Sequence, residues 1–222
     1  SGNAAVREML AYLTELVSQR RARPGDPDTD VLTRLIAGDA ADGERLTGNE
    51  LLHQCIFLLN AGHETTTNLI GNALHTLTLW PSEKERLATN LDDAVLVKSA
   101  VEEFLRFESS NQLGNRITSQ EAVVGGVTLP PDSRITLCIG AANRDPAQFP
   151  DPDRLDLRRE PNRHLAFAHG IHTCAGMNLA RLEARVALSR FLARFPDYAL
   201  DGEPVRGGRA RFRGFLHLPA RV

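Results

Sequence analysis

The stretch Phe167-Ala-His-Gly-Ile-His-Thr-Cys-Ala-Gly176 concentrates residue types that can do chemistry, and it stands just before a strongly helical segment. A cysteine at a helix N-terminus faces unpaired backbone N–H groups and the positive end of the dipole, which favour the thiolate. Gly170 and Gly176 allow tight backbone and the close approach of a flat partner. Three readings of Cys174 fit these facts. It is a small buried residue, the usual fate of a lone cysteine. Or it joins His169 and His172 on zinc, although zinc sites normally show regular spacing and a second ligand pair, which is missing here. Or it is the thiolate ligand of a haem iron.

Two further constellations lie upstream. Ala61-Gly62-His63-Glu64-Thr65 falls inside a long helical pattern, where a glycine costs about 1 kcal/mol relative to alanine. His63-Glu64 opens an HExxH metalloprotease pattern, but position 67 is Thr, so that reading fails. A solvent-facing or back-bonding cluster of Glu64, Thr65, Thr66 and Thr67 is the plain alternative. Glu103 and Arg106 are spaced i, i+3 on one helix, ordinarily a surface pair worth little.

Taken in order, these segments resemble the cytochrome P450 family. Phe-x-x-Gly-x-His-x-Cys-x-Gly at 167–176 is similar to its haem-binding signature, and Ala61–Thr65 to the oxygen-binding motif of its long central helix. Glu103-Phe-Leu-Arg106 resembles its E-x-x-R pair. Asn143-Arg-Asp-Pro146 and Phe149-Pro-Asp-Pro-Asp-Arg154 resemble the segment that bacterial members carry before the cysteine loop. The resemblance covers essentially the whole chain, to Gly214–Pro219.

The resemblance implies a role for each position. Cys174 would be the axial thiolate of haem b, the metal ligand, with Phe167 shielding its sulfur and Gly170 and Gly176 giving the haem room. Ala61 and Gly62 would let the central helix approach the haem, while Glu64 and Thr65 relay protons as an acid–alcohol pair. Arg116 and His172 would hold propionates. Glu103 and Arg106 would be buried and completed by Arg154, a structural lock on the loop that presents Cys174, since a buried charge demands pairing. Leu155, Asn111 and Ala168 depart from the family's common Phe, Pro and Gly without removing a ligand. Leu113, Gly114 and the surroundings of Ala61 are expected to line what remains of a substrate pocket.

The elements that must position these groups are readable from pattern. Val6, Met9, Leu10, Leu13, Leu16 and Val17 predict a first helix ending before Pro24; a short helix at Val31–Ile36 and a loop at Gly38–Gly43 follow. Thr47-Gly-Asn-Glu50 is a capping box opening a helix of about 30 residues, because no proline follows before Pro81. A second capping box is expected at Ser82–Glu85. Val97, Ala100, Val101, Phe104 and Leu105 share one apolar helix face. Val123–Leu129 and Arg134–Ile139 read as hairpin-like strands, and Asn143–Gly170 as ordered loop. Leu179, Leu182, Val186, Phe191, Leu192 and Phe195 mark a last helix before Pro196. The class is mainly α with a small β region, the C-terminal portion of the P450 fold with a long central helix and a cysteine loop before the last long helix.

Composition narrows the rest. The chain has 222 residues with 26 basic and 28 acidic side chains, a balance giving no pull toward nucleic acid or an anionic membrane. The longest apolar run, Cys55–Leu59, is far short of the ~20 residues of a spanning helix. Three dispersed cysteines and no leader-like N-terminus suggest a reducing, cytoplasmic setting. Members of the family are about twice as long, so residues 1–222 are expected to be the C-terminal portion of one domain whose N-terminal half is absent. The resemblance then implies a monooxygenase acting on O₂ and a small organic substrate, with electrons from a ferredoxin-type or other external donor. From Arg181 to Val222 there are nine arginines against four acids, a face that an acidic donor could use or that is simply solvated. The opposing expectation is a haem-free, non-catalytic or partner-dependent fragment, its exposed core covered by a second chain or the missing half.

Overall fold

The N-terminal helix buries one narrow stripe. The structure is a computed structural model that describes residues 2–38 and 45–222, so the loop expected at Gly38–Gly43 lies outside the described residues from position 39 on. The chain divides into two compact units, Ser1–His63 and Glu64–Val222. In the first, α1 (Gly2–Ala22) buries Leu13 and Val17, four residues apart, while Val6 and Met9 stay exposed. Helix α2 (Val31–Ala37) starts at Asp30, whose carboxylate accepts the Leu32 and Thr33 N–H groups and pairs with Arg20 at 2.9 Å. Helix α3 (Gly48–Leu79) opens with the expected capping box. Glu50 Oε2 accepts the Thr47 N–H at 2.8 Å, and Thr47 Oγ1 accepts the Glu50 N–H at 3.3 Å. Its first turns supply Leu51 and Cys55 to the apolar cluster of this unit, where burial pushes the Cys55 thiol pKa up.

The second unit takes Leu69, Ala73 and Leu77 from the same helix, spaced i, i+4, i+8, into a larger core. Helix α4 (Pro81–Ala88) corrects the second capping box. Pro81 holds the first helical position and Trp80 caps by backbone alone, which places Ser82 inside the first turn rather than ahead of it. Helix α5 (Ala94–Phe107), capped by Asp93, buries Val97, Ala100, Val101, Phe104 and Leu105 as its periodicity predicts. Strands β1 (Leu113–Ile117), β2 (Ala122–Val124), β3 (Val127–Leu129) and β4 (Arg134–Cys138) follow. The β2–β3 hairpin turns on Gly125 and Gly126, both at positive φ as a two-residue hairpin loop requires. β4 pairs instead with β1, Leu113 opposite Cys138, a strand the sequence hid because Leu-Gly-Asn-Arg-Ile carries no alternation.

After the short α6 (Ile139–Ala142) the chain is irregular to residue 169, as its prolines and aspartates imply, with a single 3₁₀ turn at Gly170–His172. Helix α7 (Met177–Arg194) ends where expected, with Leu192, Phe191 and Phe195 packed inward, but the first half of its expected apolar pattern stays outside the core. Ala184, Leu188 and Leu192 enter the core, whereas Leu179, Leu182 and Val186 are about half exposed. The helix carries two apolar stripes, and the one running i, i+4, i+8 meets α5. Two small antiparallel pairs close the chain, β5 (Ala199–Leu200) with β8 (Ala220–Arg221) and β6 (Val205–Arg206) with β7 (Phe215–His217). No helix among the described residues is long and apolar enough to cross a membrane.

Candidate functional site

Glu103 and Arg106 sit on the buried face of α5, each at most 1% exposed. An isolated charge there would be prohibitive, so the surrounding atoms must answer every donor and acceptor. They do. Arg106 Nε and Nη2 donate to the two Glu103 oxygens, each at 2.8 Å, a bidentate pair. Its remaining N–H groups donate to the carbonyls of Asn143, Pro152 and Arg154 at 2.9, 2.9 and 3.4 Å, which uses all five donors. Glu103 accepts, in addition, the Asp156 N–H at 3.0 Å, Arg159 Nε at 3.2 Å and Asn162 Nδ2 at 3.1 Å.

The third basic partner is therefore Arg159, not Arg154. The Arg154 side chain is exposed and contributes only its carbonyl, because the loop turns between them and brings Arg159 inward instead. Arg159 also donates to the carbonyls of Pro150 and Asp151 at 2.7 and 3.2 Å. Sequence reasoning passed over Arg159 because adjacent arginines at 158 and 159 give no sign of which one points inward. Fully buried Asn143 extends the network. Its Nδ2 donates to Ser109 Oγ at 3.2 Å, and its Oδ1 accepts the Leu165 N–H at 2.7 Å, two residues before Phe167.

A second anchor was not foreseen. Glu102, next to Glu103 on α5, accepts Arg181 Nε and Nη2 of α7 at 2.7 and 2.8 Å and His164 Nε2 at 3.1 Å. His164 Nδ1 accepts the Ala166 N–H at 3.2 Å, so Nε2 carries the proton donated to Glu102. Burial alone would raise the Glu102 pKa, but the hydrogen bonds from His164 and Arg181 and the Arg181 charge outweigh it and hold the carboxyl at about 2. The Arg181 guanidinium lies 4.7 Å from the Phe167 ring centroid.

From these anchors the cysteine loop projects outward. The Cys174 N–H donates to the Phe167 carbonyl at 2.9 Å, and Thr173 bonds back to the Gly170 carbonyl through both N–H and Oγ1, at 3.0 and 2.7 Å. Residues 169–176 are all exposed, and Ile171 is 97% exposed. Cys174 stands two residues ahead of Gly176, which caps α7 without a side chain and leaves its first N–H groups without a side-chain partner. Gly170 lies at φ 76°, and a Cβ at Gly170 or Gly176 would meet nothing within 4 Å. Ala168 adopts φ 59°, a left-handed conformation that explains why glycine suits this position.

The donor set fits haem better than zinc. One exposed thiol at a helix N-terminus, flanked by glycines with open space, suits axial ligation of a flat macrocycle. Among the described residues, no group of three or more His, Cys, Asp or Glu side chains is arranged to hold a metal ion, which disfavours the His169–His172–Cys174 alternative. Arg116 on β1 and His172 in the 3₁₀ turn both lie on the surface, with Arg116 donating to the Asn115 carbonyl at 2.8 Å.

On α3, Ala61 and Gly62 are exposed, and a Cβ at Gly62 would meet nothing within 4 Å. The helix stays α-helical through Ala61–Thr65. Glu64 and Thr65 are half-buried, and the Glu64 carboxylate is ion-paired with Arg209, a partner more than a hundred positions away that no local spacing could reveal. The basic C-terminal segment is thus partly engaged. Arg181 holds Glu102, while Arg206 and Arg213 both pair with Glu108, at 3.1 and 3.6 Å.

A loop-borne cysteine secured by a buried E-x-x-R network is the arrangement of a haem-thiolate protein. The family model described as Cytochrome P450 matches residues 2–203, and the chain belongs to the cytochrome P450 family. It is 44% identical to Cytochrome P450 107B1 of Saccharopolyspora erythraea, covering 96% of this chain and 52% of that protein. It is also 44% identical to the Vitamin D(3) 25-hydroxylase of Pseudonocardia autotrophica, over 98% of this chain and 53% of the relative. Among solved structures, CYP109E1 from Bacillus megaterium in complex with testosterone aligns with a TM-score of 0.90 at 32% identity, covering 99% of this chain and 60% of that one. P450BioI in complex with an acyl carrier protein aligns at 0.88 and 40% identity, over 96% and 53%. The chain spans about half the length of the curated relatives it matches.

Proposed function

We propose that this chain carries the iron-ligating portion of a haem-thiolate monooxygenase that inserts one atom of O₂ into a small organic substrate. The observation that carries the reading is the exposed Cys174, backbone-bonded to Phe167 at the head of α7 while the loop behind it is fastened to buried Glu103 and Arg106. Haem, when bound, supplies oxygen activation and transfer, chemistry that belongs to the cofactor.

The protein's share is to hold and to move protons. Cys174 offers sulfur, its thiolate favoured by the N-terminal N–H groups and dipole of α7. Gly170 and Gly176 keep the surface beside it free of side chains, and Phe167, whose carbonyl accepts the Cys174 N–H, would shield the sulfur. Arg116 and His172 would hold the propionates as cationic and N–H donors. Glu64 and Thr65 would pass protons from carboxylate to hydroxyl oxygen, with Arg209 keeping the Glu64 carboxylate in a fixed position. Glu103, Arg106 and Arg159 act on structure, not on the reaction. Electrons would come from an external donor of ferredoxin type, docking where basic side chains surround the C-terminal segment. The exposed stripe of Leu179, Leu182 and Val186 with Ile171 is the surface on which haem and further protein would lie.

The test is reduction of the haem-reconstituted chain under carbon monoxide. A red-shifted Soret band of a thiolate-ligated haem is expected, and Cys174→Ala removes it. A purified chain that takes up no haem, or that gives only the band of a non-thiolate haem, refutes the proposal and favours a non-catalytic fragment.

A further inference from the structure

A second ionic network reaches the cysteine loop by a route independent of Glu103. We propose that Glu102 and Arg181 are positioning residues for the Cys174 thiolate: a carboxylate–guanidinium pair that ties α5 to α7 and sets the electrostatic field at the sulfur. The inference rests on the haem-thiolate reading above.

The chain of contact is continuous. Glu102 receives both Arg181 donors and the His164 Nε2 proton, so three segments converge on one half-buried carboxylate. Arg181 then faces the Phe167 ring, and the carbonyl of Phe167 receives the Cys174 N–H. Contact with the Phe167 ring brings the guanidinium to the turn that holds Cys174. The hydrogen bond to Glu102 is the main cause of the raised Arg181 pKa, and the Cys174 sulfur adds to it. A geometry of this kind does two jobs. The bidentate bond and the stacked ring fix where the Phe167–Cys174 turn sits relative to α7. The balance of the two opposite charges sets how much positive potential reaches the sulfur, and the pair itself, being partly buried, is screened less than a surface pair. The pair differs from Glu103–Arg106, which is sealed in the core and holds the preceding loop by its carbonyls.

A merely structural salt bridge would respond alike to the loss of either partner. A field-setting pair would not, and this separates the two. In the haem-loaded protein, Arg181→Gln leaves the Glu102 charge uncompensated and should lower the ferric–ferrous midpoint potential. Glu102→Gln leaves Arg181 unopposed and should raise it. Each shift should correspond to about a fivefold change in the ferric-to-ferrous preference, about 40 mV on the scale of 59 mV per tenfold for a one-electron couple. Arg181→Lys keeps the charge but loses the fork, so it should restore most of the potential while shifting part of the carbon monoxide complex away from the thiolate-type Soret band. The exposed pair Arg158–Asp93 provides a control, and Arg158→Gln should leave both readouts unchanged. Shifts of the same sign in the two neutralising variants, or unchanged potentials and Soret bands with only a lower melting temperature, overturn the inference. If the unmutated protein lacks the thiolate-type band, the underlying haem-thiolate reading fails first.

Discussion

Two neighbouring regions of the second unit are built in opposite ways. Around Glu103 and Arg106 every ionic oxygen and N–H has a partner and no water-accessible surface is left. Twelve positions beyond Asn162, Cys174 occupies a run of exposed residues held by a handful of backbone bonds. The difference shows how a reactive side chain is presented without a core of its own. The loop's position is set by what lies behind it, so rigidity and reactivity are placed in separate segments. Substitutions in the buried region should therefore cost stability, and substitutions in the exposed one should cost ligation.

The sharpest break is Arg106→Ala, which strips the buried Glu103 carboxylate of its bidentate partner. A loss of about 3–5 kcal/mol is expected, read from the urea midpoint of the second unit's unfolding. Arg159→Ala removes one charged donor from Glu103 and three carbonyl contacts. It should cost about 1–3 kcal/mol, while Arg154→Ala, at an exposed side chain, should stay within about 0.5 kcal/mol. Equal effects at the two positions would contradict the assignment of Arg159 as the third member. Ala168→Gly should stabilise by about 1 kcal/mol, because it relieves a left-handed alanine. Cys174→Ser should change unfolding by less than about 0.5 kcal/mol and yet abolish thiolate ligation, which is the comparison in its purest form.

Acid supplies a gentler probe. The Glu102 pKa is depressed to about 2 in the folded chain, so its contribution to stability is fully present above the ordinary carboxyl range and is lost as pH falls toward 2. Unfolding measured between pH 5 and 2.5 should steepen accordingly, and Glu102→Gln should flatten that part of the curve. An unchanged slope would mean that the pair is not formed in solution.

Much of this was legible beforehand because it depends on local rules. Thr47 and Glu50 announce the start of α3, and the periodicity of Val97 through Leu105 fixes which face of α5 is buried. That Glu103 would be inward came from the family resemblance and not from helix phase, which sets it well away from the centre of that apolar face. What stayed hidden depends on the path of irregular chain. Nothing in the spacing says that Arg159 rather than Arg154 returns to α5, or that Arg209 meets Glu64. Glu102 was overshadowed by its neighbour, although adjacent helix positions differ by about 100° and so point at different partners. The last helix has two apolar stripes, and choosing between them required knowing where α5 lies.

The grip of Arg106 and Arg159 on the loop has one more consequence. Between them they hold carbonyls of residues 143, 150, 151, 152 and 154, atoms that every amino acid possesses. The fastening therefore reads chain length and trace but is blind to most side chains. Evolution, or a protein engineer, is free to repaint this segment almost at will, whereas adding or deleting a single residue between Pro152 and Arg159 would throw the whole ligand loop out of register.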